Sequence, residues 1–313
     1  MNRLPELAGP TLVVRDLSHS FGAKATLQKL SFTAEPGEVI ALLGLNGAGK
    51  STLLSILAGL KEATSGTVFV AGSPDRRISV GYSAQESLAF SDLTVAEQLR
   101  LAIRCFGLGD VDARVASLLK RLGLHAQRDK LASRLSGGML RRLNVALALV
   151  NDPALLLFDE PSAGLDPENK AALYACILHE QRRGATILMS THDLDDVATL
   201  ATRVMVIHQC EIAAFGTPKE LVARLGEQAY LEVDFNGGAP TPSAAAQQWA
   251  ERALPHGKWR GTTFSAEVDD VLSSLPGLTT DLEREGLRPA SIRTRRASLS
   301  DVFFSITGQR LPE

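Results

Sequence analysis

The chain has 313 residues, 45% of them hydrophobic and 22% charged, with a formal net charge of -2. It is long enough for one large domain or two moderate ones around a substantial core, and its near-neutral charge excludes the basic footprint of a nucleic-acid binder. Apolar runs such as residues 145–150 are far shorter than the roughly 18 residues of a membrane span, and Cys105, Cys176 and Cys210 lack C-x-x-C spacing, which points to a reducing compartment without disulfides.

The start of the chain carries Pro5 and Glu6 where a secretory signal needs an apolar core. Residues 12–14 and 27–32 alternate as half-buried strands joined by a turn at Gly22. Phe21, at that turn, either stacks on a flat base or folds back onto the sheet. The apolar run 39–43 predicts a buried strand that delivers the chain to Gly44-Leu45-Asn46-Gly47-Ala48-Gly49-Lys50-Ser51. This stretch matches G-x-x-x-x-G-K-[ST] in the context the motif requires. Its glycines let backbone N–H groups close around phosphate oxygens, and the helix beginning near Lys50 points its positive end at the same anion. A nucleoside triphosphate is the expected ligand, with Lys50 reaching the β- and γ-phosphates and the Ser51 hydroxyl binding the Mg2+ that bridges them. Leu53, Leu54, Ile56, Leu57 and Leu60 are expected on the apolar face of that helix.

A turn at 64–66 precedes a strand over 67–70, and a short strand over 78–82 leads to Gln85. From Thr94 to about Leu131 the periodicity is helical, carried by Leu99, Ile103 and Phe106 and then by Val115, Leu118, Leu119 and Leu122, with a break at 107–109. These residues form a compact arm over about 87–150, without the heptads of a long coiled coil. Ser136-Gly137-Gly138 opens the next helix, which carries Leu140, Leu143, Leu147 and Val150 on one face. Alone, such a loop is either an N-cap with a flexible entry or a second anion site.

The apolar strand 154–158 ends in Asp159-Glu160-Pro161, which places two carboxylates at the carboxyl edge of a parallel sheet, where ligands of α/β folds bind. Asp159 then completes the Mg2+ shell and Glu160 polarises the attacking water; paired acids also occur in solvated turns, and the phosphate loop favours the catalytic alternative. A helix over 167–183 and a strand over 186–190 follow, ending at Thr191-His192-Asp193. His192 there can hydrogen-bond a γ-phosphate, although a surface histidine gives the same pattern. His179-Glu180 lacks the second histidine of a metalloprotease zinc site. Strands over 204–208 and 211–215 finish the domain near Leu225.

Taken in order, these motifs resemble the ATP-binding subunits of ABC transporters over residues 11–225. The resemblance rests on GLNGAGKST, ending at Thr52; on LSGG at 135–138; on LLLFDEP at 155–161; on the loop SAGLD, ending at Asp166; and on His192. It implies an α/β P-loop NTPase core with a helical subdomain and an antiparallel β subdomain. It also implies nucleotide binding by Phe21, by residues 44–52 and by Ser136, Gly137, Gly138 and Asp166, with Ser51, Gln85 and Asp159 on Mg2+. Glu160, His192 and Gln85 are the implied catalytic set; the role of Gln85, linking the metal and water site to a membrane partner, comes from the resemblance alone. Leu45 stands where Pro is usual and Met139 where Gln is usual. Neither change removes a phosphate-binding backbone group, and Met139 bears on contacts to the sugar.

Members of this family work head to tail, Ser136 and Gly138 of one copy completing the γ-phosphate site of the other. One motif set per chain therefore implies a homodimer with two ATP sites, driving a separate transmembrane permease from the cytoplasmic face. Contact with the membrane runs only through the permease, and no nucleic acid is involved. Beyond residue 225, a strand over 230–235, a loop over 237–242, a helix over 244–254, a strand over 263–268, a helix from about Asp269 and a strand near Ile292 predict a small α+β accessory domain over 226–313. Residues 298–308 resemble the closing helix of subunits that serve export-type permeases. Arg288, Arg293, Arg295 and Arg296 are expected on a solvated or dimer-facing strand, with anionic lipid or a partner as the alternative. Two rivals stand beside ATP-driven export: a soluble ABC-type ATPase at ribosomes or DNA, usually with two motif sets or long coiled coils, and a small-molecule kinase, which needs an acceptor pocket.

Overall fold

Residue parity along a few short buried strands sets the layers of this protein. The computed structural model describes residues 9–71, 80–86, 89–226, 229–235, 241–255, 257–268 and 271–309. Two compact units divide the chain: the first runs through Pro218 and resumes at Ile306, and the second spans Lys219–Ser305. The expected boundary was at 225/226.

In the first unit, six strands form a sheet in the order β5 (Val80–Ser83), β6 (Leu155–Asp159), β7 (Thr186–Ser190), β3 (Val39–Leu43), β8 (Arg203–His208) and β9 (Glu211–Gly216). Neighbours run parallel except β9, which pairs antiparallel with β8. Every residue of β3, β6 and β7 is buried, as parallel strands covered on both faces require. Ile40, Leu42, Leu155, Leu157 and Leu188 face one core, shared with α1 (Lys50–Leu57) and with an antiparallel sheet ordered β2 (Lys24–Ala34), β1 (Leu12–Phe21), β4 (Ser65–Val70). Val39, Leu156, Phe158, Ile187 and Met189, at the intervening positions, face the other core. That second core is filled from α2 (Val95–Cys105), α3 (Val111–Arg121), α4 (Gly137–Ala148) and α5 (Pro167–Arg183). Because β3, β5, β6 and β7 are parallel, the segments that leave them all emerge on one edge of the sheet.

The arm forms as the periodicity predicts, and α2 begins with a capping box in which the Glu97 N–H donates to the Thr94 hydroxyl at 3.2 Å and the Thr94 N–H donates to the Glu97 carboxylate at 2.8 Å. Two apolar assignments need correction. Helix α1 stops at Leu57, so Leu60 is exposed, and Phe106, just past α2, is exposed as well. In both cases the apolar spacing continues beyond the last helical residue, and Gly59 and Gly107 then turn the chain with positive φ. Residues 1–6, the Ile78 and Ser79 part of the strand expected over 78–82, residues 87–88 of the arm, 237–240 of the tail loop and the helix start at Asp269 lie outside the described residues.

After α7 (Pro218–Ala223), the antiparallel sheet of the second unit is ordered β11 (Lys258–Arg260), β12 (Thr263–Val268), β10 (Ala229–Asp234), β13 (Ser291–Arg296). Leu231, Val233, Phe264 and Ala266 pack there with Trp249 of α8 (Ala244–Ala253) and Leu282 of α9 (Val271–Arg284). Strand β11 was not foreseen, since three residues with one apolar side chain carry no legible alternation. Arg288, Arg293 and Arg296 are exposed, but Arg295 is not a free solvated cation. Its Nε donates to Glu232 at 2.7 Å, and its Nη1 and Nη2 grip the two oxygens of Asp301 at 2.6 and 3.0 Å, at the start of α10 (Leu299–Thr307).

Burial alone would push the Asp301 carboxyl up; hydrogen bonds from Arg295 and Ser298 outweigh it and hold the group below the usual carboxylate range. A depressed folded pKa contributes stability that is complete above the unfolded value, about 4, and is lost as pH falls through the folded value. Asp301→Asn should therefore cost about 2 kcal/mol at neutral pH, and urea unfolding should show that difference shrinking toward zero in acid. An equal cost at pH values on both sides of the carboxylate range would contradict this reading of the pair.

Candidate functional site

Strand β3 ends at Leu43 and residues 44–49 loop tightly into α1. A Cβ at Gly44 would stand 2.7 Å from the Ile207 carbonyl oxygen of β8; at Gly49, where φ is +104°, it would stand 2.6 Å from the Thr26 carbonyl oxygen of β2. The loop is thus wedged between two strands, and glycine is needed for space at one position and for both space and backbone conformation at the other. Lys50 follows the loop, only 7% exposed as a residue, and its ammonium donates to the carbonyls of Gly44 at 2.6 Å and Leu45 at 3.2 Å. Burial pushes the Lys50 pKa down, and the Glu160 and Asp159 carboxylates oppose that shift.

The carboxylates owe their positions to strand pairing. Register between β6 and β7 sets Asp159 opposite Ser190, whose hydroxyl donates to Asp159 Oδ1 at 2.5 Å and accepts from the Glu160 N–H at 2.9 Å. Glu160 itself has φ of +48°, a left-handed conformation that costs a non-glycine residue about 1–2 kcal/mol and marks a position held by its surroundings. Its side chain, 15% exposed, meets two partners: Gln85 Nε2 donates to Oε2 at 3.2 Å, and His192 Nδ1 lies 3.5 Å from Oε1. Gln85 leaves β5, Glu160 leaves β6 and His192 leaves β7, so the parallel sheet brings all three to one edge.

A second buried network locks the flanking segments. Asp196 is fully buried on α6 (Leu194–Leu200) and accepts from the hydroxyls of Ser162 at 2.5 Å, Thr191 at 2.6 Å and Tyr174, with the Lys170 ammonium 3.1 Å away. Burial opposes the Lys170 charge, but Asp193, Tyr174 and Asp196 together hold its pKa above the usual lysine value. The residues on either side of Glu160 and His192 are thereby tied to α5 through one carboxylate.

A cleft of about 650 Å³ lies over these groups. Phe21, Asn46, Gly47, Gly49, Lys50, Ser51, Thr52, Gln85, Glu160 and His192 all line it. Gly44, Leu45 and Ala48 belong to the loop but do not line the cleft, and Asp159 is buried and does not line it either. Phe21 is 52% exposed rather than folded onto the sheet, with its ring 4.7 Å from that of His19 and the Lys61 ammonium 4.1 Å from its centroid. The sequence reading missed Lys24, Ala25, Thr26 and Cys210, which also line the cleft. Cys210 comes from the β8–β9 turn, where Gln209 and Cys210 both have positive φ without the Asn or Gly that signals such a turn.

Ser136, Gly137, Gly138 and Asp166 do not line this cleft. The Ser136 hydroxyl caps α4 by accepting the Met139 N–H at 3.3 Å, and Asp166 caps α5 by accepting the Asn169 N–H at 2.9 Å. For a metal, the relevant donors are hard oxygens: the Ser51 hydroxyl, the Gln85 carboxamide and the Asp159 carboxylate. Among the described residues no group of three His, Cys, Asp or Glu side chains could cage an ion. Such a donor set fits Mg2+, which keeps water and phosphate ligands, and does not fit a protein-caged transition metal.

A family model described as ABC transporter matches residues 27–163. Nod factor export ATP-binding protein I of Rhizobium etli is 33% identical over 304 residues, covering 95% of this chain and 93% of its own length. The linearmycin resistance ATP-binding protein LnrL of Bacillus subtilis is 32% identical over 311 residues, covering 96% of this chain and 99% of its own. Among solved structures, one described as the ATP binding subunit of an ABC transporter superposes with a TM-score of 0.65 at 31% identity, over 69% of this chain and 93% of that one. CbiO1 from Clostridium perfringens, described as part of the ABC transporter complex cbiONQ, gives a TM-score of 0.62 at 30% identity, over 69% of this chain and 92% of its own. Phosphate loop, carboxylate pair and full-length relatives agree, and the chain belongs to the ATP-binding, ATP-hydrolysing subunits of ABC transporters.

Proposed function

We propose that this chain hydrolyses ATP in the cleft over Lys50 and Glu160, as one half of a homodimer that powers export through a separately encoded permease. The observation that carries the proposal is the convergence of Gln85 and His192 on the two oxygens of Glu160 beside the buried Lys50 ammonium. Lys50 and the backbone of the loop hold the β- and γ-phosphates. Glu160 takes a proton from a water whose oxygen forms the new bond to the γ-phosphorus; the bond to the β,γ-bridging oxygen breaks, and ADP leaves with that electron pair. Gln85 and His192 keep the Glu160 carboxylate aimed at the water. Phe21 supplies the face on which the base stacks. Ser51, Gln85 and Asp159 are the residues that would hold Mg2+, which neutralises phosphate charge when bound.

The Ser136 loop supports the dimer. Ser136 and Gly137 are exposed at the start of α4 and away from their own cleft, so a second copy in head-to-tail orientation can receive them at its γ-phosphate, with Asp166 at the same seam. ABC ATP-binding subunits work with a transmembrane permease, and no described helix here is long and apolar enough to cross a membrane. In this reading the chain sits peripherally on the cytoplasmic face of that permease. Export and resistance in the names of the full-length relatives favour an exporter over a ribosome-acting, DNA-acting or kinase alternative.

Glu160→Gln should lower kcat by about 100-fold or more while leaving the equilibrium affinity for ATP intact, because general-base assistance is lost and phosphate contacts are not; normal turnover would remove Glu160 from this role. Lys50→Ala should weaken ATP binding by about tenfold or more, as loss of a charge-assisted hydrogen bond implies, and unchanged affinity would contradict the phosphate-loop assignment. Mixed dimers with Ser136→Arg in one copy should hydrolyse ATP at well under half the wild-type rate, and a rate of half or above would argue against coupled sites.

A further inference from the structure

Arg141 has no place in the motifs discussed so far, yet it bonds to one of their central residues. It projects from α4, the helix that begins at the Ser136 loop, and its Nη1 donates to the backbone carbonyl of Gln85 at 2.6 Å. The next bond in the series is Gln85 Nε2 to Glu160 Oε2 at 3.2 Å, and the next contact is His192 Nδ1 at 3.5 Å from Glu160 Oε1. Gln85 lies beyond the end of β5 at Ser83, outside the sheet ladder, so its backbone is placed by what it bonds to. Helix α4 is well anchored by comparison. Leu143, Val145 and Ala146 are buried in the core, and Arg142 Nη1 donates to the carbonyls of Leu122 at 2.8 Å and Gly123 at 3.2 Å. A short charge-assisted bond from a fixed helix restrains the backbone at Gln85.

We propose that Arg141 is a positioning residue for hydrolysis: it holds the Gln85 backbone where the carboxamide meets Glu160, and so ties the helix of the Ser136 loop to the hydrolytic carboxylate of the same chain. The inference rests on Glu160 acting as the general base. Without the guanidinium, the Gln85 carboxamide loses its fixed approach to Oε2 and the Glu160 carboxylate samples unproductive orientations. The phosphate loop is untouched, so the contacts of Lys50 and the loop backbone to the phosphates remain. In a head-to-tail dimer the same link carries the position of the Ser136 loop, seated on the partner's nucleotide, to this chain's own Glu160.

The test is a double-mutant cycle in the full-length chain, with kcat, KM and equilibrium affinity for ATP measured on each protein. Arg141→Met, which keeps the length of the stem and removes the donor, should lower kcat about tenfold while the affinity for ATP measured without magnesium changes by less than about twofold. Arg141→Lys, which still offers an N–H to the carbonyl, should recover most of that loss. In a Glu160→Gln background, Arg141→Met should cost far less than tenfold, because the general base that Gln85 aims is gone even though Gln85 itself remains. Wild-type kcat in Arg141→Met, no recovery with lysine, or an undiminished tenfold loss in the Glu160→Gln background would each overturn the inference. Failure of the functional reading has a different signature, namely that Glu160→Gln alone turns over normally.

Discussion

The register between β6 and β7 is the constraint on which the rest of the site depends. It sets Asp159 opposite Ser190, and one hydroxyl then serves both the Asp159 carboxylate and the Glu160 N–H. A slip of one residue would exchange the faces of Leu155, Leu157 and Leu188 with those of Leu156, Phe158 and Ile187, moving each set into the wrong core. Hydrophobic parity over a few residues therefore holds this sheet edge in place, and the left-handed backbone at Glu160 is tolerated because both sides of it are fastened.

Charge is the second organising factor. The site gathers a buried ammonium at Lys50 and carboxylates at Asp159, Glu160 and Asp196, and each has a partner within hydrogen-bonding or ion-pair reach. Burying such groups unpaired would be costly, so the cleft gains rigidity from the same contacts that tune its chemistry. The hydrogen-bond partners of the Lys50 ammonium are neutral carbonyls, so none of them offsets its charge. An anionic ligand in the cleft adds negative charge that favours the ammonium form, which burial otherwise works against.

Local signals were legible in the sequence, and signals assembled by topology were not. The phosphate loop and the strand ending in Asp159-Glu160 are contiguous, so spacing alone locates them and predicts the sheet edge they share. Ser190, Asp196 and Arg141 reach the site through strand order or helix packing, and none stands in a pattern that single-chain periodicity detects. Cys210 was hidden for a different reason, since its turn uses residues that normally avoid positive φ. Leu60 and Phe106 show the opposite failure, where apolar spacing outlasts the helix that it predicts. Arg295 was read as surface charge because neither Glu232 nor Asp301 is its sequence neighbour on a helix face; only the β10–β13 register and the start of α10 bring them together.

In the proposed dimer, ATP fills the cleft and a second copy of the chain completes it. Titration calorimetry of the purified protein with magnesium and ATP, followed by sedimentation of the same samples, measures both at once. One ATP bound per chain, with a shift from monomer to dimer that ADP does not produce, is the predicted result. Absence of any binding heat, with sedimentation unchanged by ATP, would contradict the account.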